Sequence, residues 1–274
     1  MQKITPKNVL GIIEKAQRRS FLLNPFFLIM NCEYEEADEI LVYLEKDFLL
    51  FPPKNSRHLA HRKVWCYAED IERIKKSGVE IKNITPDSTD YFYLTKNYLT
   101  FPGHNFQKMR KEIRFFERNY DFEILENYPA EKTKEFIHQW YARNLVKKNP
   151  KNREMFENEF HATLKAVDLL SEIITAKTLY ILIDGALAGL ALYAPLYEDF
   201  WAAIYQKVNS KYRGIGQMLY REKAKKMREY KFFTNGDDAM DSVLAKHKEE
   251  LCPIRKERYF LVETGEVRSV KNES

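Results

Sequence analysis

The sequence predicts an α+β protein in which mixed, mostly antiparallel sheets are flanked by helices. Three observations carry this. Short apolar runs bounded by turn residues alternate with helix-spaced segments along all 274 residues. Asp184-Gly185 joins two such runs, Leu179 to Ile183 and Ala186 to Tyr193, in the manner of a hairpin. A third run, Phe200 to Val208, passes into a helix through a glycine-containing loop. The C-terminal half therefore reads β, α, α, β, β, β, α, β, α, β.

Taken in order, Thr5-Pro6 starts a helix, because threonine caps free amides and proline fits the first helical position. Val9, Leu10, Ile13 and Ala16 give that helix its apolar face. Phe26 to Met30, Ile40 to Leu44 and Phe48 to Phe51 read as strands, the last ended by Pro52-Pro53. Val64 to Tyr67 reads as a strand and Glu69 to Lys76 as a helix closed by Gly78. Val79 to Ile84 and Tyr91 to Leu94 are further strands. Phe106, Met109, Ile113 and Phe116 mark one face of a helix whose remaining surface carries Lys108, Arg110, Lys111, Arg114 and Arg118. Such a helix is a solvated face or a phosphate-docking one.

Asp121 to Leu125 then enters a second unit as a strand. The helices Glu131 to Leu145 and Arg153 to Leu170 follow, separated by the polar run Lys147 to Asn152. Beyond the hairpin, a helix opens at Arg213, Phe232-Phe233 is a short strand, Ala239 to Glu250 a helix and Arg258 to Glu263 a last strand. The expected division is 1–120 and 121–274, with chemistry in the second part.

Composition excludes several classes. Hydrophobic residues at 45% and charged residues at 31% support a sizeable core. Cys32, Cys66 and Cys252 are odd in number and lack C-x-x-C spacing, which argues against a disulfide framework or zinc site and fits a reducing cytoplasm. The histidines are dispersed, so no metal is expected. No segment reaches the roughly 18 consecutive apolar residues of a membrane span. A net charge of +5 permits an anionic ligand without requiring nucleic acid. No G-x-S-x-G elbow or P-loop is present.

The stretch with chemical content is Val208-Asn209-Ser210-Lys211-Tyr212-Arg213-Gly214-Ile215-Gly216-Gln217. Gly214 and Gly216 allow a sharp turn and close approach of backbone amides, and the start of a helix suits a pyrophosphate. Lys211 and Arg213 add charge. Taken alone, the loop reads equally as a tight turn with helix caps.

The order of elements around this loop resembles the GNAT acyltransferase superfamily. There a hairpin and a central strand precede an Arg/Gln-x-x-Gly-x-Gly/Ala loop opening a helix. Here the loop reads Lys211-x-x-Gly214-x-Gly216, with Lys in the first position, or, read from Arg213, has Gly216 in place and Met218 at the last small position. The stretch Phe106 to Tyr120, the segment Thr234-Asn235-Gly236-Asp237-Asp238 and Leu244-Ala245-Lys246 with Cys252-Pro253 resemble the phosphatidylglycerol lysyltransferase C-terminal domain family. That family and its Fem-type relatives are built from two GNAT-like domains and draw acyl groups from aminoacyl-tRNA.

The resemblance implies tandem GNAT-like domains, the first degenerate, and an N-acyltransferase. Its donor would be acetyl-CoA or another acyl-CoA and its acceptor an amine. Charged tRNA is the alternative donor, with Lys108, Arg110, Lys111 and Arg114 on its backbone, and a non-catalytic binding protein is a third reading. Lys211, Tyr212, Arg213, Gly214, Ile215, Gly216 and Gln217 would hold the donor, with Asn235 on its pantetheine arm. Backbone amides from Gln206 to Val208 would polarise the acyl carbonyl. Asp237, Asp238 and Tyr205 are the candidate proton-transfer groups, although either aspartate equally fits as a cap of the helix expected at Ala239. Glu198, Asp199, His161, His247 and Ser242 are weaker candidates.

Overall fold

The computed structural model describes residues 1–145 and 153–267; the polar run expected between two helices, Lys147 to Asn152, lies outside them. In chain order the elements are β1 (Gln2–Lys3), α1 (Val9–Ala16), α2 (Pro25–Asn31), β2 (Glu33–Glu36), β3 (Ile40–Glu45), β4 (Phe48–Leu49), β5 (Lys63–Tyr67), α3 (Ala68–Lys76) and β6 (Val79–Leu94). They continue with α4 (Thr95–Thr100), α5 (Gln107–Asn119), β7 (Phe122–Leu125), α6 (Ala130–Leu145), α7 (Arg153–Leu169), β8 (Lys177–Ile183), β9 (Ala186–Pro195) and β10 (Phe200–Val208). The chain ends with α8 (Ile215–Lys226), β11 (Phe232–Asp237), α9 (Ser242–Glu250) and β12 (Arg255–Val267).

Two compact units form, one of residues 1–92 with 235–274 and the other of residues 93–234. The expected boundary at 120/121 does not coincide with them. The reason is β12, which returns to the first unit and pairs antiparallel with both β5 (Phe260 opposite Cys66) and β6 (Arg255 opposite Phe92). The helix α5, read as part of the first half, belongs to the second unit. The mixed α+β class with mostly antiparallel sheets and flanking helices holds in each unit.

In the first unit, Phe26 to Met30 is helical and not the expected strand. Asn24 accepts the Phe27 amide at 2.9 Å and Pro25 occupies the first helical position, so the capping signal overrides the apolar run. The two strands expected at 79–84 and 91–94 are parts of one long β6.

In the second unit the sheet order is β11-β10-β9-β8-β7. The hairpin β8–β9 forms as expected, with Asp184 and Gly185 both at positive φ, the turn conformation that suits right-twisted strands. Phe116, Ile113 and Met109 bury one face of α5, as the helical spacing predicts. At the start of β10, Trp201 is fully buried, stacks on Phe233 at 4.5 Å and donates its indole N–H to Thr95 at 3.0 Å. A buried indole with its donor satisfied contributes apolar area without leaving a polar atom stranded. It fixes the first residues of β10 and β11 side by side.

Candidate active site

β10 is the strand on which a site can be built. It pairs antiparallel with β9 as far as Val208, opposite Gly189. On its other side it pairs parallel with β11 only through Phe200, Trp201 and Ala202. A register shift between Ala203 and Tyr205 puts Ile204 in a bulge, and bulges bend a strand away from its neighbour. Residues 204–208 consequently have no ladder partner on the β11 side. In a protein nearly every backbone amide is paired, so an unpaired edge inside a sheet is a place for a ligand to bond.

The two faces of β10 carry different chemistry, because side chains alternate along a strand. Tyr205 and Lys207 share one face. The Lys207 ammonium is buried, lies 4.4 Å from the centre of the Trp140 ring and 5.9 Å from that of Tyr205, and pairs with Glu159. Burial, with the Glu159 charge adding to it, raises the Tyr205 hydroxyl above the ordinary phenol range and keeps its proton on. Gln206 points to the other face, where its Oε1 accepts from the Lys223 ammonium at 2.9 Å and its Nε2 reaches the Gly216 carbonyl at 3.5 Å.

The loop after β10 is tied down by its own protein. The amides of Lys211, Tyr212 and Ile215 donate to the Asn209 side chain, the Asn209 carbonyl and the Tyr212 carbonyl. The Arg213 amide donates to the Tyr120 hydroxyl at 3.3 Å. The Arg213 guanidinium forms two hydrogen bonds to Glu112, at 2.8 and 2.9 Å, and lies over Phe115. Those hydrogen bonds hold the Glu112 carboxyl below its usual range. Lys211 folds onto the Tyr212 ring, which meets Tyr120 edge-on.

Gly214 caps α8 at φ +89°, and a Cβ there would fall 2.2 Å from the Glu112 carbonyl oxygen. Its glycine serves the packing of α5. Ile215 is buried against Gly189, and Val208 closes the β9–β10 ladder. Gly216 and Gln217 lie in the first turn of α8, where amides have no intrahelical acceptor. Of the sequence-predicted donor loop, the amides of Gly214, Gly216 and Gln217 have no protein partner among the described residues, and the last two lie in that first turn.

Asn235, Asp237 and Asp238 lie in the other unit, which begins its second segment at Asn235. Neither aspartate caps α9. That helix starts at Ser242 and is capped by Asp241, which accepts the Val243 and Leu244 amides at 2.8 and 3.1 Å. Asp238 is buried and already accepts from the Thr89 and Met240 amides and the Tyr91 hydroxyl. Asp237 accepts from the Ala239 amide at 2.8 Å. The Asn235 carbonyl accepts from the buried Lys248 ammonium.

Burial pushes the Asp237 carboxyl up to about 6, against the opposing effects of the Ala239 amide and Lys248. A carboxyl raised in the folded state stabilises below its unfolded value and loses that contribution as pH rises through the folded one. Asp237→Asn is therefore expected to leave stability unchanged at pH 3.5 and to raise it by about 2 kcal/mol at pH 7. Thermal melts at the two pH values check this.

Lys223 was not among the expected site residues. It is fully buried on α8, with its ammonium 4.4 Å from the centre of the Tyr220 ring and the Gln206 amide as its hydrogen-bond acceptor. Burial alone brings its pKa down to about 7. The sequence did hold a signal: position 223 follows Leu219 by four residues and so falls on the apolar face of α8.

A hairpin, a bulged central strand, a parallel neighbour that parts from it and a glycine loop opening a helix together make up a GNAT-like fold. The chain belongs to the phosphatidylglycerol lysyltransferase C-terminal family, whose model matches residues 63–259. A conserved protein of unknown function from Bacteroides thetaiotaomicron superposes with a TM-score of 0.82 at 17% identity, over 96% of this chain and 98% of that one. The structure of L-PGS from Bacillus licheniformis superposes with a TM-score of 0.64 at 13% identity, over 98% of this chain and 94% of that one. At these identities the likeness is one of fold. A search of curated proteins gives no match. Among the described residues, no helix is long and apolar enough to cross a membrane.

Proposed function

We propose that the protein is an acyltransferase whose reaction takes place along the open edge of β10. The observation that carries this reading is the early parting of β11 from β10, which leaves the backbone of residues 204–208 unpaired on that side. Amides there are fixed donors that can meet negative charge developing on an acyl oxygen while an amine attacks the carbonyl carbon. The tetrahedral intermediate then collapses, the acyl–donor bond breaks, and the amine's proton leaves through a base. With its proton held, Tyr205 suits the role of acid toward the departing group.

For the donor, aminoacyl-tRNA is the first reading. Lys111, Arg114, Phe115, Arg118, Asn119 and Arg213 line a cleft of about 310 Å³ beside the loop. Among the described residues, Lys111 and Arg118 have no ion-pair partner, and their spacing with Arg114 places all three on one side of α5. Such a row suits a phosphate backbone. Arg110 drops out of this role, because it donates to the carbonyls of Phe101 and Gly103. Acyl-CoA is the second reading, favoured by the two unpartnered first-turn amides of α8.

Binding of charged tRNA and titration with coenzyme A separate the two. Under the first reading, Lys111→Glu combined with Arg118→Glu weakens tRNA binding at least tenfold and flattens its dependence on salt. Unchanged tRNA affinity in that double variant would sink it. Under the second, Gly216→Asp stays folded, since a Cβ there would meet only the Gln206 amide nitrogen at 3.6 Å, and CoA binding is lost.

A further inference from the structure

Lys223 has no evident structural purpose. Its ammonium is shut away from solvent on the sheet side of α8, and its interactions are one hydrogen bond to a neutral amide and one aromatic ring. A buried cation held by a carboxylate is a common arrangement, whereas one held by an amide keeps most of its desolvation cost. A methionine would fill the same space without that cost. The residue that receives the ammonium is Gln206, in the part of β10 that β11 has left.

An amide side chain has an acceptor end and a donor end, and their assignment depends on the surroundings. A lysine ammonium donates only, so it must face the oxygen of Gln206. The nitrogen is thereby turned the other way, toward the first turn of α8, where it makes a long 3.5 Å contact to the Gly216 carbonyl. That contact leaves donor capacity on the nitrogen, next to the backbone amides of Gly216 and Gln217.

We propose that Lys223 is a positioning residue of the acyl-transfer cleft, locking Gln206 with its amide nitrogen as a hydrogen-bond donor toward the acyl donor. This rests on the reading of the open β10 edge as that cleft. Lys223 acts through Gln206 and need not touch the substrate. The arrangement supplies a neutral, fixed donor where an arginine or lysine would be free to move, and it suits an acyl or phosphate oxygen. No covalent step is assigned to Lys223.

The test compares wild type with Lys223→Met, Gln206→Leu and the double variant in the full chain. Binding of two probes, coenzyme A and lysyl-tRNA, is measured together with thermal stability and the side-chain amide NMR signal of Gln206, identified by its loss in Gln206→Leu. The expected result is a probe bound by wild type and weakened about tenfold in each single variant, with the double variant no weaker than either single one. At pH 6, Lys223→Met should melt no lower than wild type, and its Gln206 signal should move. A merely structural lysine would give the reverse, a lower melting temperature with unchanged probe affinity, and that would overturn the proposal. Equal affinity of wild type and Lys223→Met would overturn it too. If wild type binds neither probe, the cleft reading fails and this role fails with it, a result distinct from a wild type that binds and a variant that binds equally.

Discussion

Gly214→Ala is expected to cost roughly 4 kcal/mol or more and to leave little folded protein at 37 °C. Two effects add. The backbone at Gly214 has φ +89°, a region in which a side chain is strained. The added carbon would also lie 2.2 Å from the Glu112 carbonyl oxygen, 2.9 Å from its carbonyl carbon and 3.0 Å from the Phe116 Cβ. Two of these are backbone atoms in the middle of α5, so relief requires moving a helix. Phe116 is fully buried there, and displacing it opens the core behind it. Gly216→Ala supplies the control, since it adds the same carbon two residues later, where it meets only the Gln206 amide nitrogen at 3.6 Å, an ordinary contact. Chemical denaturation of both variants decides the matter. If the two midpoints agree within about 0.5 kcal/mol, the packing role assigned to Gly214 is wrong.

The contrast between these glycines shows where sequence reasoning stops. Val208 to Gln217 was legible as a strand-to-helix loop because glycine and cation placement are local signals. Both glycines looked like ligand-binding positions. Only tertiary structure reveals that Gly214 makes room for α5, a helix about a hundred residues earlier in the chain. Arg213 is a parallel case: its charge suggested a phosphate, and Glu112 on the same helix takes up its guanidinium.

The hairpin at Asp184-Gly185 and the buried face of α5 were readable for the same local reasons. Phe26 to Met30 has the apolarity of a strand, and it is the Asn24-Pro25 capping pair just before it that makes it a helix. The extent of the units was out of reach, because the return of β12 to pair with β5 and β6 is a long-range event with no mark in the sequence near residue 120. At α9, two aspartates drew attention before the one that caps it, Asp241, since all three are plausible caps and only backbone geometry separates them.

Lys223→Met is expected to change the sign of its effect on stability with pH. In the folded protein burial lowers the lysine from 10.5 to about 7. Between those values the unfolded chain binds a proton that the folded one does not, so wild-type stability rises with pH across this window. Below pH 7 both states are protonated and the folded state bears the whole penalty, roughly 4 to 5 kcal/mol for such a displacement.

Methionine removes that penalty but leaves the Gln206 oxygen without its donor, a loss of about 1 to 3 kcal/mol. The variant should therefore be more stable than wild type by about 2 kcal/mol at pH 6, and less stable by about 1 to 2 kcal/mol near pH 10.5, where the folded lysine is neutral, the unfolded one is half protonated and little of the penalty remains. Paired denaturation curves at pH 6, 8 and 10 measure the difference, and subtraction removes the titrations the two proteins share. A difference that stays constant across the series would mean that Lys223 keeps its proton while buried. The ammonium would then have a partner stronger than the Gln206 amide, and Gln206 would not be what holds Lys223.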